Sequence, residues 1–224
     1  MTGAANDTPR EAPRISLTFD DGPHPIWTPR VLRALQRAEA HATFFVVASL
    51  ARQFPRLISD ILRYGHGVEF HCTEHVRHTE QSRKEVEADV RDGLRELRRQ
   101  GVYPRFWRPP WGVLAPFTAE IAYEFGLEIM LWTEGSQDWR GNSAAEMLER
   151  VEPGLRPGSI VLMHDGIGPG ALRSGCGETV TFVGALVERI RFLGCEPGPL
   201  NISSAAGIFP TDGASAEQEG PAET

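Results

Sequence analysis

Short β-prone apolar segments alternate with amphipathic helical stretches along almost all of this 224-residue chain. That alternation is the strongest constraint on its fold. Strand candidates fall at 15–19, 43–47, 68–70, 105–108, 127–132, 159–163 and 200–203. Helix candidates lie between them at 28–38, 55–64, 82–100, 116–125, 143–151 and 178–192. Strands separated by helices cannot pair as tight hairpins, so each crossover favours a parallel sheet covered by helices. Local signals mark the helix ends. Ser82 with Glu85 and Ser143 with Glu146 have capping-box spacing. Pro29, Pro55 and Pro116 suit first-turn positions, and Gly65 and Gly126 suit helix ends. Val86, Val90, Leu94 and Leu97 repeat at helical spacing and predict a face turned to the core. No linker or internal repeat interrupts the series. One α/β domain over residues 14–208 is therefore expected, with disordered ends at 1–13 and at an acidic 209–224.

Charge and composition narrow the class. Net charge is -7, and Asp212, Glu217, Glu219 and Glu223 contribute to it without a neighbouring base. This argues against a nucleic-acid partner and against a basic membrane-binding surface. No apolar run reaches transmembrane length, and the first fourteen residues hold no hydrophobic segment of a secretory signal. Cys72, Cys176 and Cys195 are odd in number and lack motif spacing, as expected of a reducing compartment. The expectation from these features is a cytoplasmic enzyme, or a secreted one if a signal segment has been removed. Oligomeric state leaves no trace in the sequence.

The chemistry begins at Asp20-Asp21, between the first apolar run and the turn residues Gly22-Pro23. Adjacent carboxylates repel, and a bound cation keeps at least one of them ionised. His71 and His75 lie four apart, a spacing that would put both imidazoles on one face of a helical turn. Two histidines and one carboxylate form a catalytic metal set that leaves positions open for water and substrate. Arg108 closes the fourth strand candidate, Asp138 lies beyond the fifth, and His164 ends the sixth. Every candidate thus sits at the carboxyl end of a different strand, the face on which a barrel builds its active site. A metal hydrolase is the reading these residues support. Cys72 does not share a face with its histidine neighbours, and His24, His66 and His78 are read as loop residues.

Five ordered segments resemble the NodB-homology polysaccharide deacetylases, carbohydrate esterase family four. They are Thr18-Phe19-Asp20-Asp21-Gly22, His71-Cys72-Thr73-Glu74-His75, Arg108-Pro109-Pro110-Trp111-Gly112, Asp138-Trp139 and Leu162-Met163-His164. The resemblance implies a distorted, incomplete (β/α)7 barrel. It implies that Asp21, His71 and His75 bind a divalent metal, expected to be zinc, with cobalt, nickel and manganese as alternatives. By the same resemblance Asp20 is the general base and His164 the general acid. Arg108 orients Asp20, Asp138 partners His164, and Leu162 and Trp139 shape the pocket for the acetyl methyl. A backbone N–H near Trp111 is the expected oxyanion donor, because a Pro-Pro-aromatic-Gly turn exposes its few amides. The implied reaction removes acetyl from an N-acetylated amino sugar or saccharide. Three departures border the substrate: Trp111 replaces the usual tyrosine, and Gly135 stands where an acid is common. The third is a longer, glycine-rich loop at 165–177, expected to be mobile. A small acetamido biosynthetic intermediate as substrate, a cyclic amide or ureide hydrolase, and an inert sugar-binding module stay open at this point.

Overall fold

The computed structural model describes residues 12–200. The terminal segments expected to be disordered lie outside the described residues, apart from Ala12 and Pro13. So does all of the predicted strand 200–203 except Leu200. In chain order the strands are β1 (Arg14–Asp20), β2 (Thr43–Val47), β3 (Gly67–Cys72), β4 (Phe106–Trp107), β5 (Glu128–Ile129), β6 (Glu134–Gly135), β7 (Ile160–His164) and β8 (Glu196–Gly198). The helices are α1 (Trp27–Arg37), α2 (Ala48–Gln53), α3 (Pro55–Arg63), α4 (Arg83–Arg99), α5 (Thr118–Phe125), α6 (Ala144–Val151) and α7 (Gly177–Phe192).

All the strand pairings are parallel, in the order β5-β4-β3-β2-β1-β7-β6. β7 runs along one edge of β1, while β8 and β2 share its other edge, β8 at Arg14–Ser16 and β2 at Thr18–Asp20. No ladder joins β5 to β6 among the described residues. The sheet therefore curls without closing, as an incomplete barrel. The chain crosses this open seam within a few residues: Met130 N donates to Trp107 O on one side, and Thr133 N to Ile160 O on the other.

The period-2 alternation of β1 separates structure from chemistry. Ile15, Leu17 and Phe19 are fully buried against the helix layer, with Val31 and Leu35 of α1 and Phe182 and Leu186 of α7. Ser16, Thr18 and Asp20 take the opposite face, toward the barrel interior. Both faces of this central strand are covered, which accounts for its continuous burial. The predicted stripe of α4 (Val86, Val90, Leu94, Leu97) is buried as expected. Both capping boxes form, and Gly126 ends α5 in the left-handed conformation at φ 69°.

One expectation changes, and two elements are added. The single strand predicted at 127–132 becomes β5 and β6, because the chain leaves one edge of the sheet at 130 and joins the other at 133. Helix α2 follows β2 directly, with no side-chain cap to announce it. A further strand that the sequence did not suggest, β8 at Glu196–Gly198, pairs with the start of β1. No described helix is long and apolar enough to cross a membrane.

Close packing of α4 on β3 supplies a test. A Cβ at Gly93 would overlap the Phe70 ring and Thr73 Oγ1. Alanine in a helix interior ordinarily gains about 0.5–1 kcal/mol over glycine. Here overpacking reverses the sign, so Gly93→Ala is expected to lose about 1–2 kcal/mol net. Urea unfolding of the two proteins measures it.

Candidate active site

Asp20 ends β1 on its inner face, and Asp21 follows at φ 70°. That left-handed residue turns the chain, so the second carboxylate is not sent to the opposite face of the sheet. Asp21 Oδ1 lies 3.4 Å from His71 Nε2 and 3.1 Å from His75 Nε2. The three ligand atoms are all within 4.8 Å of one another. His71 Nδ1 is 2.6 Å from the carbonyl oxygen of Arg108. A carbonyl only accepts, so that nitrogen carries the proton and a neutral His71 turns its Nε2 lone pair toward Asp21. Asp21 Oδ1 is itself buried without a hydrogen bond. A carboxylate oxygen facing imidazole lone pairs is repulsive alone and favourable around a cation, so these residues fit a divalent metal.

The two histidines do not reach this point on one helical turn, as their spacing had implied. His71 is a residue of β3, and His75 stands in the irregular segment after it. A strand end and a loop converge instead. The His75 ring meets Trp111 edge-on, with centroids 4.2 Å apart. Trp111 is held at φ 55° in the short turn Pro110–Gly112, with the Arg77 guanidinium 4.4 Å from its ring centroid.

Arg108 is completely buried. Its NH1 donates to Asp20 Oδ1 at 2.8 Å and to Thr18 Oγ1 at 2.9 Å, its Nε to Met130 O at 3.0 Å, and its NH2 to Leu131 O at 3.0 Å. Phe45 packs against the guanidinium, 4.0 Å from ring centroid to Cζ. A buried cation costs several kcal/mol in desolvation unless its donors are paired, and here each nitrogen is.

On the neighbouring strand β7, His164 Nδ1 lies 2.7 Å from Asp138 Oδ1, and the His164 amide donates to Asp138 Oδ2 at 3.0 Å. Burial opposes charge on this imidazole. The Asp138 carboxylate outweighs it, with help from Asp21 and Asp20, and pushes His164 up to about 9. Burial would raise Asp138, but His164, Arg173 and Thr179 hold it at about 2. The pair is imidazolium and carboxylate at neutral pH. Leu162 sits two residues before His164 on the same strand, and Trp139 directly follows Asp138, its ring 4.9 Å from the Arg140 guanidinium.

Several site residues escaped the sequence reading. Arg173 donates to Asp138 Oδ2 at 2.9 Å and to the carbonyls of His164 and Gly166, each at 3.1 Å. Leu172 N also donates to Trp139 O at 2.9 Å. These bonds tie the glycine-rich loop to the end of β7 and to Trp139. Its glycines serve proximity: a Cβ at Gly166 would overlap the Asp21 backbone, and one at Gly168 the Asp21 carboxylate. Asp165 is buried beneath the same turn, accepts from the Thr28 hydroxyl, and is pushed up to about 7 chiefly by burial. No sequence motif announces either residue.

Two of the histidines read as loop residues are buried, His66 in the connection before β3 and His78 at the start of a short 3-10 turn. His66 Nδ1 accepts from Ala42 N, His78 Nδ1 lies 3.1 Å from Thr118 Oγ1, and burial lowers both to about 4. Cys72 is buried outside the ligand cluster, its thiol raised by burial.

An open parallel barrel that gathers this ligand set, a carboxylate on a buried arginine and an imidazolium at its strand ends has the architecture of the family-four carbohydrate esterases. The chain belongs to the polysaccharide deacetylase family, whose sequence profile matches residues 7–130, over half its length. It is 39% identical over 153 residues to a peptidoglycan-N-acetylglucosamine deacetylase of Listeria monocytogenes, a match covering 68% of this chain and 32% of that enzyme. The match thus spans only about a third of that relative. A chitooligosaccharide deacetylase of Sinorhizobium fredii is 34% identical over 163 residues, covering 72% of this chain and 76% of the relative. Among solved structures, a family 4 carbohydrate esterase from Streptomyces lividans in complex with acetate superposes with a TM-score of 0.77. It is 26% identical, over 87% of this chain and 95% of that one. The expected fold is the one these proteins share.

The His164–Asp138 pair carries a pH test. A histidine raised from 6.5 to about 9 contributes stability that is fully present below pH 6.5 and lost as pH rises through 9. Asp138→Asn removes the principal cause. The His164 titration followed by NMR in metal-free protein is expected to fall from about 9 to below 6.5, and the variant's stability deficit to shrink between pH 7 and pH 10.

Proposed function

We propose that this protein is a metal-dependent N-deacetylase that hydrolyses the acetamide of an N-acetylated amino sugar within a saccharide, releasing acetate and a free amine. One observation carries the reading. Asp20 and His164 are direct Cα partners on the adjacent parallel strands β1 and β7, beside the Asp21–His71–His75 cluster. This adjacency supports reading Asp20 as base and His164 as acid beside one metal-fitting site.

Asp21, His71 and His75 would hold the ion, with zinc favoured by the nitrogen-rich ligand set and cobalt, nickel or manganese as alternatives. When bound there, a divalent ion supplies Lewis-acid polarisation of the acetyl carbonyl and lowers the pKa of a water. Asp20, oriented by Arg108, accepts the proton of the attacking water. His164, protonated at neutral pH through Asp138, gives its proton to the departing amine. An amine is a poor leaving group until protonated, so retention of this acid favours C–N cleavage. Gly112 and Val113 donate their amides to the carbonyls of Pro109 and Pro110, and the two prolines have none to give. The Trp111 amide is left to serve as oxyanion donor. Leu162 and Trp139 would bound a small apolar pocket for the acetyl methyl. The named activities of the Listeria and Sinorhizobium relatives support a glucosamine-type saccharide over a small acetamido metabolite.

Acetate release from chitooligosaccharides and from peptidoglycan fragments, with zinc or cobalt added, tests the proposal. Asp20→Asn is expected to retain metal and lose turnover by at least about a hundredfold. The double variant His71→Ala, His75→Ala is expected to lose metal, as measured by elemental analysis. Near-normal turnover in Asp20→Asn, or equal metal content in the double variant, would overturn the assignment.

A further inference from the structure

The two imidazoles of the ligand cluster are supported differently. His71 belongs to β3, and its second ring nitrogen is 2.6 Å from the Arg108 carbonyl. His75 is in no helix or strand, and its Nδ1 is buried with no hydrogen-bond partner. A ligand histidine is ordinarily oriented by a hydrogen bond from its other nitrogen. Beyond Asp21, His75 meets only the rings of Trp111 and His71, neither of which bonds its Nδ1, so its placement must come from the backbone that carries it.

That backbone is held from α4. Asp89 Oδ2 accepts from Thr73 N at 2.9 Å, Asp89 Oδ1 accepts from Glu74 N at 2.8 Å, and Thr73 Oγ1 donates to Asp89 O at 2.6 Å. Three bonds from one residue thus fix the two positions just before His75. Gly93, one turn further along α4, lets the helix approach Phe70 and Thr73 closely. Only a carboxylate offers two acceptor oxygens to two consecutive amides; asparagine offers one. Among the described residues no cation pairs with Asp89 within 4 Å, so the carboxylate is kept although its burial is unfavourable.

We propose that Asp89 is a positioning residue for the metal site: by accepting both the Thr73 and Glu74 amides, it sets the backbone that aims His75 at Asp21. The inference rests on the assignment of Asp21, His71 and His75 as ligands. Removing such support typically weakens metal binding by about 10–100-fold.

The test uses the full chain and Zn2+ affinity measured by chelator competition, independent of turnover. Asp89→Ala is expected to weaken Zn2+ binding by about 10–100-fold, and Asp89→Asn, which keeps one acceptor and should fold, by less. The absorption spectrum of the Co2+-loaded Asp89→Asn protein is expected to move toward that of His75→Ala. In a His75→Ala background, Asp89→Asn is expected to change Zn2+ affinity no further, because its effect passes through His75. Wild-type affinity in Asp89→Asn and Asp89→Ala overturns the proposal, as does an equal loss with and without His75. A wild-type chain that binds no Zn2+ overturns the ligand assignment together with it, whereas wild-type binding that is lost in His71→Ala leaves that assignment standing whatever Asp89 does.

Discussion

The buried guanidinium of Arg108 is the constraint on which the rest of the site depends. A cation with no exposure to water must be surrounded by acceptors, and this one draws them from parts of the chain far apart in sequence. Asp20 and Thr18 come from β1, and the carbonyls of Met130 and Leu131 from the segment beyond β5. The carbonyl of Arg108 itself receives the His71 ring. One residue therefore ties the central strand, the open seam and the His71 imidazole together. Where the barrel lacks a ladder, the hydrogen bonds of this side chain help to hold its edge. Truncating it would leave Asp20 buried without its counter-charge, a loss larger than the pair's net worth.

Opposite charge arrangements stand on adjacent strands. At the end of β1 a carboxylate faces a guanidinium; at the end of β7 an imidazolium faces a carboxylate, which Arg173 and Thr179 also engage. Both pairs are largely withdrawn from water, so their interactions are weakly screened. His164 differs from His66 and His78 chiefly through the carboxylates around it, Asp138 first among them. All three are desolvated, and only the one beside a carboxylate is raised.

Much of this was legible in the sequence because it depends on local periodicity and on strand ends. The alternation of segments gave the parallel sheet, the stripe of α4 gave a core face, and the strand-end positions of Asp20, Arg108 and His164 gave a common site. What escaped depends on contacts distant in sequence. Arg173 sits among glycines with nothing acidic beside it, and its partner Asp138 is 35 positions away. Asp89 reads as one more polar residue of an amphipathic helix until the loop at Thr73 is folded against it. The four-residue spacing of His71 and His75 suggested a helix because spacing alone cannot tell a helical turn from a strand that breaks into a loop. The strand at 127–132 failed for a similar reason: periodicity shows that a segment is extended, but not that it changes neighbours midway.

The pairing of Asp20 with His164 has a consequence for how such a protein can diverge. The spacing between neighbouring strands is a property of the backbone ladder, about 4.8 Å, and is indifferent to the side chains on the surrounding loops. The backbones of Asp20 and His164 thus take their separation from a ruler that ordinary mutation does not rescale. Turns at the rim, including the glycine-rich segment at 165–177, can lengthen, shorten or change polarity while that distance stays fixed. The rim can then vary in shape and charge without moving the pair at the centre.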